Sequence, residues 1–212
     1  MIITYQGLEF FKLSQGDLTI AVNPPSKSSK FKSSKFGADV ALVSLNHEDF
    51  NGAEDMSYGD RKPIVINGPG EYETKDIFIR GLPGQSEYGG EKRINTIYKI
   101  SFEGMELCFL GAQSTADIPK ETVEALDQID ILFVPIGGDG VLEAAPAYKL
   151  AVSLEPNIII PMHYGDSLKS PALKTFLKEG GSEKISPEDK LTIKKKDVEG
   201  REGDIIVLKA QL

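Results

Sequence analysis

The chain is poor in the side chains that build soft metal centres. Its 212 residues include one cysteine, Cys108, and two histidines, His47 and His163. A single thiol cannot close an intramolecular disulfide, so the fold does not depend on an oxidising compartment. Excess positive charge is missing too: 24 basic residues face 32 acidic ones, a formal net charge of −8. General nucleic-acid binders and proteins of anionic membranes need net positive surface, so neither partner is expected. No apolar run approaches the ~18 residues of a membrane-spanning helix. The start, MIITYQGLEFFKL, lacks a basic region followed by a sustained apolar stretch and reads as a strand, not a signal peptide. These absences make a cytoplasmic location the expectation.

The composition, 40% apolar and 26% charged, is ordinary for a globular protein. No Pro/Ser-rich linker divides two hydrophobic halves, so one domain over 1–212 is expected. Short apolar stretches at Ile2–Tyr5, Glu9–Leu13 and Leu18–Val22 predict a strand meander turning at Gln15-Gly16. Residues 24–37, PPSKSSKFKSSKFG, contain SSKF twice and four lysines without an acid. They read as a solvated surface loop or as a patch for phosphate or another acidic ligand. Asp39–Ser44 is a short buried strand, and Lys62–Asn67, Ile77–Leu82, Thr96–Ser101 and Glu106–Gly111 are further strands. Gly68 to Tyr72 reads as a turn, residues 83–94 as a loop, and Glu103-Gly104 as a hairpin turn. Strand and helix then alternate: helix Pro119–Gln128, strand Ile131–Ile136, helix Glu143–Leu154, strand Asn157–Met162. A last helix begins at Ser170-Pro171 and stops at Gly180-Gly181. Lys190–Lys195 and Asp204–Leu208 predict a closing pair of strands. Such an order builds an α/β domain with helices covering sheet faces. Cys108, inside an apolar strand, reads as a buried small hydrophobe.

Both histidines sit just beyond apolar strands, in Asn46-His47-Glu48-Asp49 and in His163-Tyr164-Gly165-Asp166. Strand ends opening into loops are where α/β folds place their sites. Taken alone, the residues are as compatible with two structural histidines as with a site. Gly137-Gly138 has neither the P-loop Lys-Ser/Thr nor the GxGxxG spacing, so it is a weak phosphate signal. No Ser-His-Asp set stands out.

The order of segments resembles the metallo-β-lactamase superfamily. An early Gly7-Leu8 strand end is followed by LNHEDF (45–50), GPGEY (68–72), FLGA (109–112), DILFVPIGG (130–138) and IIIPMHYGD (158–166). The likeness is greatest to the small branch of Zn-dependent hydrolases that includes ascorbate-phosphate lactonase-like enzymes. It implies a four-layer αββα sandwich with a one- or two-zinc site at one edge of the sheets. Carried over position by position, the ligand pattern keeps His47, Asp49 and His163. It places Leu45, Phe50, Phe109 and Ala112 where ligands would stand, and Leu8 and Asn23 at two supporting positions. Leu, Phe and Ala offer no lone pairs, and a dizinc centre needs more imidazoles than the chain contains.

The expectation is therefore an apolar plug in place of a cation, with Leu8, Leu45, Phe50 and Phe109 converging and His47, Asp49 and His163 satisfying one another by hydrogen bonds. Ala112, Gly137, Gly138 and Tyr164 complete the expected pocket. No catalytic residue is assigned and no cofactor is expected. The main functional expectation is a binding or assembly module for a small molecule or a protein, with a homo-oligomer open. The alternative is a hydrolase of lactones or phosphoesters using one weakly held zinc or other divalent ion on His47, Asp49 and His163, supplemented by Glu48 or Asp166. A third reading is metal-free acid–base catalysis by a His–Asp pair.

Overall fold

The computed structural model describes residues 1–31, 34–165 and 167–211. Lys32 and Ser33 of the Lys/Ser loop, and Asp166, lie outside the described residues. Thirteen strands are found among these residues: β1 (Ile2–Tyr5), β2 (Phe11–Gln15), β3 (Leu18–Val22), β4 (Val40–Leu42), β5 (Ile64–Ile66), β6 (Gly70–Thr74), β7 (Ile77–Ser86), β8 (Arg93–Phe102), β9 (Met105–Phe109), β10 (Ile131–Pro135), β11 (Ile158–Met162), β12 (Leu191–Thr192) and β13 (Asp204–Ile205). They form two mixed sheets, ordered β12-β1-β2-β3-β4-β5 and β13-β11-β10-β9-β8-β7-β6. Three helices, α1 (Lys120–Leu126), α2 (Ala144–Ser153) and α3 (Pro171–Glu179), follow the first nine strands.

Period-two burial brings the sheets together. In β2, Phe11 and Leu13 are buried while Lys12 between them faces outward. Phe11 meets Phe109 of β9 and Phe133 of β10 edge-on, at 5.8 and 4.9 Å between ring centres. One apolar core thus draws from both sheets. Strands β10 and β11 are buried at every position, as strands between two layers must be. The outer side of the second sheet is covered by α2, which packs on α3 through Tyr148 and Phe176. The outer side of the first sheet is covered more thinly. Phe10, Ala21, Ala41 and Val43 pack under a 3-10 turn, Ala53–Met56, and under Phe36, which stacks on Phe10. The architecture is the expected αββα sandwich, with one outer layer reduced to a turn and a loop because residues 24–37 offer no helical apolar spacing.

Several boundaries differ from expectation. Much of the expected 83–94 loop is strand: β7 and β8 stay paired from Phe78↔Ser101 to Ser86↔Arg93. Pro83 and Gly84 lie within this ladder. A Cβ at Gly84 would stand 2.5 Å from Gln113 Oε1, so glycine is what lets the strand pass that amide. The GPGEY segment is not only a turn, since β6 begins at Gly70. The two C-terminal strands do not pair with each other. β12 joins β1 and β13 joins β11, one closing each sheet. In α2 the buried face is Ala144, Ala147, Leu150 and Ala151, and Val152 is half exposed. The Ser170 start is as expected, its Oγ accepting the Leu173 N–H at 3.1 Å. No helix among the described residues is long and apolar enough to cross a membrane.

Candidate functional site

The site forms where four loops meet at one end of the sandwich. The first follows β4. Phe50 N–H and Asn51 N–H both bond to the His47 carbonyl, giving a tight turn that buries Leu45 and Phe50 and leaves Asn46 and Glu48 outside. The second follows β11, where His163 takes a left-handed backbone (φ 58°) and its N–H bonds to the Leu8 carbonyl at 2.6 Å. The third joins β1 to β2 and carries Leu8, also left-handed at φ 52°. Asn23, after β3, has the same conformation. Left-handed backbone is uncommon outside glycine, and finding three such residues at one corner marks a place where the surroundings dictate the chain path. The fourth loop joins β7 to β8 and carries Tyr88.

Leu8, Leu45, Phe50, Ala112 and Val141 form one buried apolar cluster, with Tyr88 packed against it. The structure therefore brings together four of the expected plug and pocket positions: Leu8, Leu45, Phe50 and Ala112. Phe109 is not among them. It stacks on Phe133 at 3.7 Å in the main core, because the last residue of β9 points between the sheets rather than toward the loops. Tyr164 also turns away: its hydroxyl donates to the Leu208 carbonyl and its ring lies against Tyr5. Gly137 backs directly onto the His163 carbonyl, where any Cβ would collide. Gly138 turns the loop, its N–H bonding to the Leu142 carbonyl.

His47 meets Asp49, as the sequence reading had it, but the other partners of Asp49 and the partner of His163 are residues it did not name. His163 Nδ1 lies 2.7 Å from Oε1 of Glu9, a fully buried carboxyl group. Glu9 Oε2 accepts from Asn23 Nδ2 at 3.1 Å, and Asn23 Oδ1 accepts the Ser44 N–H. Asp49 accepts the Ser29 hydroxyl on Oδ1 at 2.5 Å and the Tyr88 hydroxyl on Oδ2 at 2.8 Å. His47 Nδ1 accepts the Asp49 N–H at 3.2 Å. Its approach to Asp49 Oδ2 is longer, 3.4 Å, and is an ion pair only when the ring is charged. We read the shorter, hydrogen-bonded contact as the one that orients the ring. Nε2 of His47 lies against Gly89, 3.1 Å from where a Cβ would stand.

The Tyr88 ring sits among the others. It meets His47, Phe50 and His163 edge-on at 4.9, 5.0 and 5.3 Å. Burial, the bond to Asp49 and the charges of Asp49, Glu9 and Asp139 push its phenol pKa well above the ordinary value, so the hydroxyl stays protonated and donating. A further buried network fixes the loop after β9: Asn95 donates to the Leu110 carbonyl and to Gln113 Oε1, and accepts the Ala112 N–H.

Glu9, Tyr88 and Ser29 were missed. Glu9 had a signal, an acid within the apolar run Leu8 to Phe11, and Tyr88 a weaker one, an aromatic in a Gly-rich loop. Nothing local marks Ser29, which reaches Asp49 from 20 residues away.

With two histidines in the chain, the residues do not offer the donors of a dizinc centre. Leu45, Phe50 and Ala112 have no lone pairs. Both oxygens of Asp49 accept hydroxyls of the protein's own, from Ser29 and Tyr88. Among the described residues no group of three or more His, Cys, Asp or Glu side chains is arranged to hold a metal ion.

This two-sheet sandwich is that of the metallo-β-lactamase superfamily. The chain belongs to the family described as the Beta-lactamase superfamily domain, which residues 2–163 match. Among its relatives is a UPF0173 metal-dependent hydrolase of Natranaerobius thermophilus, 24% identical over 89% of this chain and 94% of its own. A UPF0173 metal-dependent hydrolase of Thermoplasma acidophilum is 25% identical over 64% of this chain and 69% of its own. A solved structure from Thermotoga maritima, described as a Zn-dependent hydrolase of the metallo-β-lactamase superfamily, is 26% identical, covers 99% of each chain and superposes with a TM-score of 0.74.

Proposed function

We propose that this chain is a metallo-β-lactamase-fold protein that works without a resident dizinc centre, as a binding or assembly module. The observation that carries the reading is the apolar cluster of Leu8, Leu45, Phe50, Ala112 and Val141 beside the three retained polar positions His47, Asp49 and His163. Burying large apolar side chains there contributes roughly 1.5–3 kcal/mol each. A cation at Asp49 would have to displace the hydrogen bonds from Ser29 and Tyr88.

A second reading has its own support. The relatives are named metal-dependent hydrolases, and those names favour a hydrolase over a module. On that reading one ion is held by His47, Asp49 and His163, and Tyr88 and Ser29 release Asp49 to admit it. The substrate class would be a lactone or a phosphoester.

One experiment separates the two. The protein is purified without chelator, its zinc, manganese and iron are measured per chain, and a generic phosphodiester and a lactone are assayed with and without added metal. The module reading expects less than about 0.1 ion per chain and no turnover. Near-stoichiometric metal, with turnover abolished by His163→Ala, refutes it and establishes the hydrolase.

A further inference from the structure

Tyr88 is placed as a ligand would be. It comes from the loop between β7 and β8, beyond the ladder that ends at Ser86↔Arg93. Its ring is bounded by His47, Phe50 and His163, and its one polar atom ends on Asp49. The side chain is nevertheless attached through a lightly held segment. Gly89 and Gly90 follow it with φ of 76° and 80°, and both are exposed. Outside the site the segment is held by Glu87 N–H to the Gly140 carbonyl, a long bond of 3.3 Å, by Tyr88 N–H to Ser86 Oγ and by Gly90 N–H to the Glu87 carbonyl. Gly140 leaves room for this approach, since a Cβ there would lie 2.6 Å from Tyr88 Cα. The other walls are more fully held: Phe50 and Leu45 are buried, and the second oxygen of Asp49 is bonded by Ser29.

We infer that Tyr88 is an internal occupant of a binding site for small hydroxylated aromatics, and that a ligand bearing a phenol enters by displacing it. The ring recognises the site by edge contacts with two imidazoles and Phe50, and the hydroxyl by donating to Asp49. A ring without a donor leaves the Asp49 oxygen unmatched. A donor without a ring leaves the aromatic walls unfilled. The inference deepens the module reading and rests on it, because a cation at His47, Asp49 and His163 would compete for the same oxygen.

The test uses p-cresol, toluene and cyclohexanol as probes, with the full-length chain and the variants Tyr88→Ala and Tyr88→Phe. Binding is read by titration calorimetry and by shifts in thermal midpoint. For Tyr88→Ala, p-cresol should bind and raise the midpoint, with toluene and cyclohexanol at least about tenfold weaker. Tyr88→Phe keeps the ring and is the safeguard against misfolding. It should bind p-cresol about tenfold more tightly than the wild type, because the internal competitor has lost its bond to Asp49. In the wild type, saturating p-cresol should speed amide exchange across 87–92.

Equal binding of p-cresol and toluene overturns the inference, as does no binding to either variant, or a wild-type loop that stays protected at saturation. A zinc arm keeps the two readings apart. If zinc stabilises the wild type, the module reading fails whatever p-cresol does. If neither zinc nor p-cresol binds, only the present inference fails.

Discussion

Removing the Phe50 ring tests whether apolar packing holds the site together. Phe50 is 0% exposed and in contact with Tyr88, at 5.0 Å between ring centres. Truncating a fully buried Phe to Ala costs about 3–5 kcal/mol, the lost transfer energy plus a cavity. A chain of this size loses about 2–4 °C of midpoint per kcal/mol, so Phe50→Ala should melt about 6–20 °C lower. The drop should be the same with and without EDTA. The location of the damage can be read independently. The chain has two histidines, so its imidazole NMR signals are two sets, and Phe50 lies 6.1 Å from one ring and 6.2 Å from the other. Both sets should shift in Phe50→Ala. Phe109→Ala, which cuts into the main core beside Phe133, should lower the midpoint and leave them nearly unmoved. The reasoning is refuted if Phe50→Ala melts within about 2 °C of wild type, or if its loss disappears when chelator is added.

Two further outcomes follow from other parts of the structure. Asn95→Ala leaves the Leu110 carbonyl and the Ala112 N–H without their buried partner, so it should cost about 2–5 kcal/mol in urea denaturation, where a loss under 1 kcal/mol would count against the network. Burial pushes the Cys108 thiol up to about 12, from an ordinary 9.0. Below the ordinary value both folded and unfolded chains keep the proton. Between it and about 12 only the unfolded chain gives it up, so stability falls with rising pH across that window, at most by about 1.4 kcal/mol per unit. Native protein should also resist thiol reagents at pH 8 until it is unfolded, and rapid labelling of the folded chain would place Cys108 at the surface instead.

The sequence by itself determined most of the elements and the α/β class of the fold. Local patterns suffice for that: alternation in Phe11 to Leu13, continuous apolar runs in Ile131–Pro135 and Ile158–Met162, and the Ser170-Pro171 start are each read within a few residues. It also determined how few imidazoles the chain can offer to any site, since that is a count. The tertiary structure alone decided which partners the polar side chains there meet. Glu9 meets His163 across 154 positions, Tyr88 meets Asp49 across 39, and Ser29 meets Asp49 across 20. It also decided that Phe109 faces the main core and that the two C-terminal strands close different sheets. Such pairings follow from sheet order and from where each loop turns. Local periodicity says which residues are buried, but not which of them meet.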